Sequence, residues 1–202
     1  MIQGKLGAAA HVIVPVHTPE SIHFAVSTSR PIGLGDFLAK ALVDGWVLEF
    51  GVAGGDTLRE IAGLNKARIV YGFDSFEGLP EEWRPGFPKG EFACSIPQDL
   101  PHNAELVIGL FEKTLPEWLA LHPGPVAFVH IDCDLYSSTK CVLGHLAPRF
   151  ISGTVLAFDE IVNYPEYEKH EAKAFAEFLN DTGFRYECLG GFGERAGFRL
   201  VR

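Results

Sequence analysis

The chain has 202 residues, 47% of them hydrophobic and 21% charged, which suffices to bury one full α/β core in a single domain. Its 17 Lys and Arg are scattered among 26 Asp and Glu, for a net charge of -9, and this excludes the clustered basic surface that a nucleic-acid backbone requires. No apolar run approaches the ~20 residues of a membrane helix, so a soluble protein acting on a small or neutral molecule is expected.

Residues 1–33 read as an N-terminal arm or cap on a core spanning 34–202. Residues 6–16 (LGAAAHVIVPV) are the only candidate targeting segment, and they contain a His and a Pro and lack a cleavage pattern. Cys94, Cys133, Cys141 and Cys188 form neither a C-x-x-C pair nor a zinc spacing, so they read as free thiols in a reducing cytoplasm. Self-association is neither required nor excluded by anything in the sequence.

The first strong element is an apolar strand at 46–50, followed by a glycine turn and a helix start in VLEFGVAGGDT. Gly51, Gly54 and Gly55 let the backbone turn sharply and approach a ligand closely. Glu49 stands two places before Gly51, where it would repel a dinucleotide pyrophosphate and suit a cation; S-adenosylmethionine, with its ammonium and sulfonium, is such a ligand. Glu49, Gly51, Val52, Gly55 and Thr57 are the candidate contacts here. The alternative is a glycine turn that merely ends one element and begins another.

A second apolar strand at 68–73 delivers Asp74, followed by Ser75. An acid at this tip can accept both hydroxyls of a ribose, or it can cap its own turn. Residues 77–101 then run through Pro and Gly where a crossover helix would be ordinary; a loop of that length either folds over the site with Trp83, Phe87 and Phe92 or packs on the surface. A third strand at 105–109 ends at Gly109 and Leu110, placed by position beside an adenine. Helical spacing follows at 112–121, and a fourth strand at 126–131 delivers Asp132. Asp134 sits where it would cap a helix over 135–146, whose first turn holds Ser137, Ser138 and Thr139, and Tyr136 faces a substrate cleft. His130 reads as a core histidine. A fifth strand at 153–158 delivers Asp159 and Glu160, a helix spans 166–179, and strands at 184–189 and 196–201 form a terminal hairpin around LGGFGERAG. Alternating strands and helices of this kind make a mostly parallel sheet covered on both faces.

The pattern E-x-G-x-x-x-G resembles motif I of class I methyltransferases. Together with DSFEGLP, FVHIDCDLYSST and GTVLAFDE it resembles the macrocin O-methyltransferase family, over about residues 45–178 and in the same order and spacing. The resemblance implies a Rossmann-like fold, sheet order 3-2-1-4-5-7-6 with a C-terminal antiparallel hairpin, and methylation of a hydroxyl on a small molecule such as a sugar. The sequence departs from the pattern at Ala53 and Gly54, at Cys133 between two aspartates, and at Glu160 where a second aspartate is usual.

Asp132, Asp159 and Glu160 converge on the sheet edge that carries Glu49 and Asp74, and oxygen ligands of this kind suit Mg²⁺ or a similar hard ion. The resemblance gives these three as metal ligands; solvated or turn-capping acids are the alternative. A cation bridging neighbouring hydroxyls would orient the acceptor and favour loss of its proton, with Asp132 receiving it. The lysine base of catechol-type relatives has no counterpart, since Leu135 stands at its position. An NAD-dependent oxidoreductase is disfavoured by Glu49 and by the lack of G-x-G-x-x-G. A non-catalytic binder of S-adenosylmethionine is separated by one observation, whether the three acids converge.

Overall fold

The computed structural model describes residues 16–27 and 29–202; residues 6–15 of the candidate targeting segment, and the first part of the expected arm, lie outside them. Seven strands form one sheet: β1 (Trp46–Phe50), β2 (Val70–Asp74), β3 (Ala104–Ile108), β4 (Val126–Ile131), β5 (Phe150–Phe158), β6 (Arg185–Phe192) and β7 (Arg195–Val201). Their order is β3-β2-β1-β4-β5-β7-β6, with β7 antiparallel to both neighbours and every other pairing parallel. That is the order and the terminal hairpin expected from the resemblance. The chain reverses direction of growth between β1 and β4, and ligands of open α/β sheets bind at such a switch point, beyond the carboxyl ends of the strands.

The helices are α1 (Pro19–Ser27), α2 (Leu34–Leu38), α3 (Asp56–Leu64), α4 (Phe111–Leu121), α5 (Tyr136–Leu146) and α6 (Glu171–Thr182). Strand alternation feeds two cores. Leu48 and Phe50 of β1 face Leu115, Val142 and Phe175 of α4, α5 and α6, whereas Val47 faces Leu58 and Ile61 of α3 and Phe37 of α2. β4 is buried along its whole length, as a central parallel strand covered on both sides must be. None of the helices of the described residues is long and apolar enough to cross a membrane.

Several boundaries differ from expectation. β5 begins at Phe150, where Thr154 Oγ1 donates to the Val126 carbonyl at 2.7 Å and stitches the early part of the strand to β4. α6 begins at Glu171, because Glu166 adopts φ +66° and residues 167–169 make a separate 3-10 turn. The hairpin turn is only two residues long: LGGF continues β6, Phe192 pairs with Arg195, and Gly193 at φ +64° makes the turn. Between β2 and β3 there is no helix, as expected, and that segment walls the site.

Candidate active site

Beyond the ends of β1, β2, β4 and β5 opens a cleft of about 760 Å³. The β1 end is set by sterics: Gly51 has φ +89°, and a Cβ on it would stand 1.7 Å from the Asp132 carbonyl oxygen, so no other residue fits between β1 and β4. Asp74 then organises the turn. Its Oδ2 accepts the N–H groups of Val52 at 2.7 Å and Ala53 at 2.8 Å, and its Oδ1 accepts the Phe76 N–H at 2.7 Å. Asp74 therefore caps its own turn and braces the glycine loop, while still lining the cleft. The Gly109 N–H donates to the Asp74 carbonyl at 2.9 Å, which fixes the next stretch of wall.

Of the sequence candidates for cofactor contact, Gly51, Asp74, Ser75, Gly109, Leu110 and Asp132 line the cleft; Glu49, Val52, Gly55 and Thr57 do not. Glu49 is fully buried and turned into the sheet, where its Oε1 bonds His130 Nδ1 at 2.9 Å. Gly55 caps α3 at φ +83° against Pro97 and Leu100, and Val52 reaches the site through its backbone bond to Asp74.

The acids gather around Asp132 in two overlapping sets. Asp132, Asp134 and Glu160 present carboxylate oxygens within 4.8 Å of one another, and a ring nitrogen of His130 forms a second set of the same spacing with carboxylate oxygens of Asp132 and Asp159. Asp159 is already engaged: Arg195 Nε lies 2.5 Å from its Oδ1, Arg195 Nη2 donates to Oδ2 at 3.2 Å, and His130 Nε2 is at 3.8 Å. Glu160 Oε2 is buried without a partner. The expected trio is thus joined by two residues read otherwise from sequence. Asp134 does not cap α5, whose N-cap is Leu135 with no side-chain bond; at φ +62° it is buried beside Asp132 and Glu160. His130 is a core histidine that also ties Glu49 to Asp159.

Burial and crowding govern the charges. Burial pushes Asp132 up to about 7, against the pull of His130 and with help from Asp159, Asp134 and Glu49. Asp134 rises to about 7 through burial despite Arg84, and Glu160 rises to about 10 through burial and the nearby Asp132, Asp159 and Asp134. For His130, burial is outweighed by Asp159 and Glu49, and it is pushed up to about 10. Asp159 moves down: burial opposes, but His130 and Arg195 prevail. Such a site favours the arrival of positive charge.

The outer wall comes from the 77–101 segment. Trp83, Phe87 and Phe92 all line the cleft, with Trp83 packed on Tyr164 at a ring separation of 5.8 Å. Ser137 Oγ donates to Glu81 at 2.6 Å and ties this wall to α5. Tyr136 is absent from the cleft; its hydroxyl donates to Glu177 at 2.7 Å on the α5–α6 surface. Thr139 faces inward rather than closing the helix turn, donating to the buried Glu171 at 3.3 Å. Sequence reasoning missed Arg195 and Arg84 altogether, and no local pattern marks either. The Glu49–His130 pair had a signal: each is a lone polar residue in an otherwise apolar strand, and β1 and β4 set them side by side.

The family described as "Methyltransferase domain" matches residues 48–161. The chain is 28% identical over 177 residues to the 8-demethyl-8-(2,3-dimethoxy-alpha-L-rhamnosyl)-tetracenomycin-C 4'-O-methyltransferase of Streptomyces olivaceus, with 76% of this chain covered; it spans 63% of that protein's length. The crystal structure of CalS11, a calicheamicin methyltransferase, is similar with a TM-score of 0.68 and 26% identity, covering 89% of this chain and 79% of that one. The O-methyltransferase NovP shares the fold at 21% identity and a TM-score of 0.64, covering 91% and 79%.

Proposed function

The chain belongs to the methyltransferase domain family, and from that membership we propose that it is an S-adenosylmethionine-dependent O-methyltransferase acting on a hydroxyl of a small molecule, a sugar or sugar-bearing natural product. The finer kinship with macrocin O-methyltransferases, a single domain with its arm over 1–33 and a cytoplasmic setting belong to the same reading. The observation that carries it is the cleft itself, where the braced glycine loop and Asp74 meet Asp132, Asp134 and Glu160 across one switch point.

The residues present fit a hard divalent cation. Glu160 Oε2 is buried and unpartnered, and oxygens of three carboxylates lie within 4.8 Å of one another, close enough to share one cation. Asp132, Asp134 and Glu160 would hold the ion, with Asp159 turned toward it only as far as Arg195 allows; the trio expected from sequence is thereby modified at one member. When bound, S-adenosylmethionine supplies an activated methyl group, and a cation supplies a docking point that favours ionisation of the acceptor hydroxyl.

The protein's own work is positional. Asp74 and the Gly109 turn hold the ribose side, and Leu110 and Phe111 flank the adenine side. Asp132 stands at the junction of the two halves and receives the acceptor's proton, with Asp134 beside it. Arg195 and His130 fix the Asp159 carboxylate. Trp83, Phe87 and Phe92 exclude water from the outer face.

The reading is tested by calorimetry with S-adenosylmethionine and NAD, followed by a screen of hydroxylated small molecules with labelled cofactor, with and without Mg²⁺. Binding of S-adenosylmethionine and label transfer to one of them are expected. Tight NAD binding with no response to S-adenosylmethionine would overturn it.

A further inference from the structure

The segment between β2 and β3 holds one aromatic residue in a backbone conformation that aromatic residues avoid. Phe92 has φ +64°, in the left-handed region where a bulky side chain crowds its own backbone. Its neighbours on both sides are pinned. The Gly90 N–H donates to the Leu79 carbonyl at 2.8 Å and the Leu79 N–H to the Glu91 carbonyl at 2.9 Å, while the Cys94 N–H donates to the Phe76 carbonyl at 3.3 Å. Glycine or asparagine would occupy position 92 with less strain.

Burial does not offset that strain. Phe76 shares the left-handed backbone, at φ +59°, but its ring is 8% exposed and belongs to the core that holds Val47, Phe37 and Leu58. Phe92 is 47% exposed. Its ring leans on Phe87 at a separation of 5.8 Å, Phe87 meets Trp83 at 5.1 Å, and all three line the cleft. A strained residue that the core does not use, displayed at the edge of a cleft, points to a task in that cleft.

A half-exposed phenyl ring offers a flat apolar face and no hydrogen-bonding group. Planar rings stack on such a face with a geometric preference, whereas a puckered saturated ring of the same size does not match it. Charge narrows the partner further. Among the described residues lining the cleft, Asp74, Glu81, Glu112, Asp132, Asp134 and Glu160 are acidic and Arg84 is the one Lys or Arg, so an anionic ring enters against the field. The hydroxyl to be methylated belongs at the carboxylates, which leaves the Phe92 face for a different part of the same acceptor.

We propose that Phe92 is a specificity-determining residue, a platform held on strained backbone that receives a flat, uncharged ring system of the acceptor. The inference rests on the methyltransferase reading and adds to it a feature of the acceptor remote from the reacting hydroxyl. Its test uses protein loaded with S-adenosylhomocysteine and Mg²⁺, titrated calorimetrically with 2-naphthol, its saturated counterpart trans-decahydro-2-naphthol and the anionic 2-naphthoate. The flat neutral probe binds about fivefold tighter than either of the others. Phe92→Leu keeps apolar bulk but removes the flat face, and it abolishes the preference for 2-naphthol over the saturated ring; Phe92→Tyr keeps it. S-adenosylhomocysteine affinity stays within about twofold in both variants. The thermal midpoint of Phe92→Asn does not fall, because asparagine suits the left-handed backbone and the ring it replaces is half-exposed. The proposal is overturned if the saturated ring or the anion binds as tightly as 2-naphthol, if none of the three binds, or if Phe92→Leu leaves the preference intact. It is equally overturned if S-adenosylhomocysteine affinity falls in step with that of the probe, which would give Phe92 to the cofactor, or if Phe92→Asn melts well below the parent, which would make the ring structural. Failure of the parent protein to bind S-adenosylhomocysteine at all is a separate result, and it sinks the methyltransferase reading instead.

Discussion

The two halves of the cleft are built in opposite ways. Around Asp74, three backbone N–H groups satisfy one carboxylate and the glycine turn is complete without any ligand. Around Asp132, acids crowd together, Glu160 Oε2 has no partner, and pKa values climb. The first half is preorganised, so a ligand arriving there pays little to order it. The second half is crowded with carboxylates, and one of their oxygens has no partner.

The sharpest way to break this contrast is Gly51→Ala, because Gly51 is where the halves touch. Its Cβ would collide with the Asp132 carbonyl, so we expect a loss of more than about 4 kcal/mol in urea unfolding. Gly54→Ala meets nothing within 4 Å and should stay within about 0.5 kcal/mol. Equal effects at the two positions would mean that the junction is not rigid.

Chelation should divide the halves functionally. Methyl transfer to an identified acceptor is expected to vanish while S-adenosylhomocysteine affinity changes by less than about twofold, because no group bracing the glycine loop belongs to the acid cluster. Glu160→Gln, at a proposed ligand, should act similarly. Activity that survives thorough chelation would leave the acids as general base and hydrogen-bond acceptors only.

Asp74→Ala acts on the finished half. It removes charge-assisted bonds to Val52, Ala53 and Phe76, each worth roughly 1.5–3 kcal/mol, so stability and cofactor affinity should fall together. An unchanged dissociation constant would place the ribose elsewhere.

The mildest effect is a slope with pH. In metal-free protein Asp132 and Asp134 hold their protons to about 7, whereas in the unfolded chain an aspartate releases its proton near ~3.9. Between those values the folded state binds more protons, so its stability declines as pH rises through the window and this contribution flattens above it. Urea midpoints at pH 5 and pH 8 should therefore diverge in EDTA and draw together in Mg²⁺. Parallel curves would show that crowding is relieved without a cation.

Much of the finished half was legible in sequence because its logic is local. An apolar strand, an acid and a glycine turn lie within eleven residues, and Asp74 ends the next strand. The acid half was legible only in part. Asp132, Asp159 and Glu160 end strands and could be found, but Asp134 looked like a cap because its φ of +62° cannot be read from a D-L-Y sequence. Arg195 reaches Asp159 across a hairpin that pairs long after the motif has passed, and Arg84 meets Tyr164 from a separate loop. Apolar spacing predicts α6 five residues earlier than it begins, because spacing says nothing of the left-handed Glu166 that delays it. Charge alone predicts Glu49 as a ligand contact; the His130 it bonds lies on another strand.

The two-residue turn between β6 and β7 has a consequence for the order in which the molecule comes into being. Glu194 accepts the backbone N–H groups of Ile161 and Val162 and faces Arg84, and Arg195 grips Asp159. A ribosome releases these two residues after every other part of the cleft, and loop closure over such distances is slow. A nascent chain can therefore form its glycine loop and central strands before Arg195 exists to pair with Asp159, and the carboxylate at the end of β5 has that partner only once the hairpin has joined the sheet.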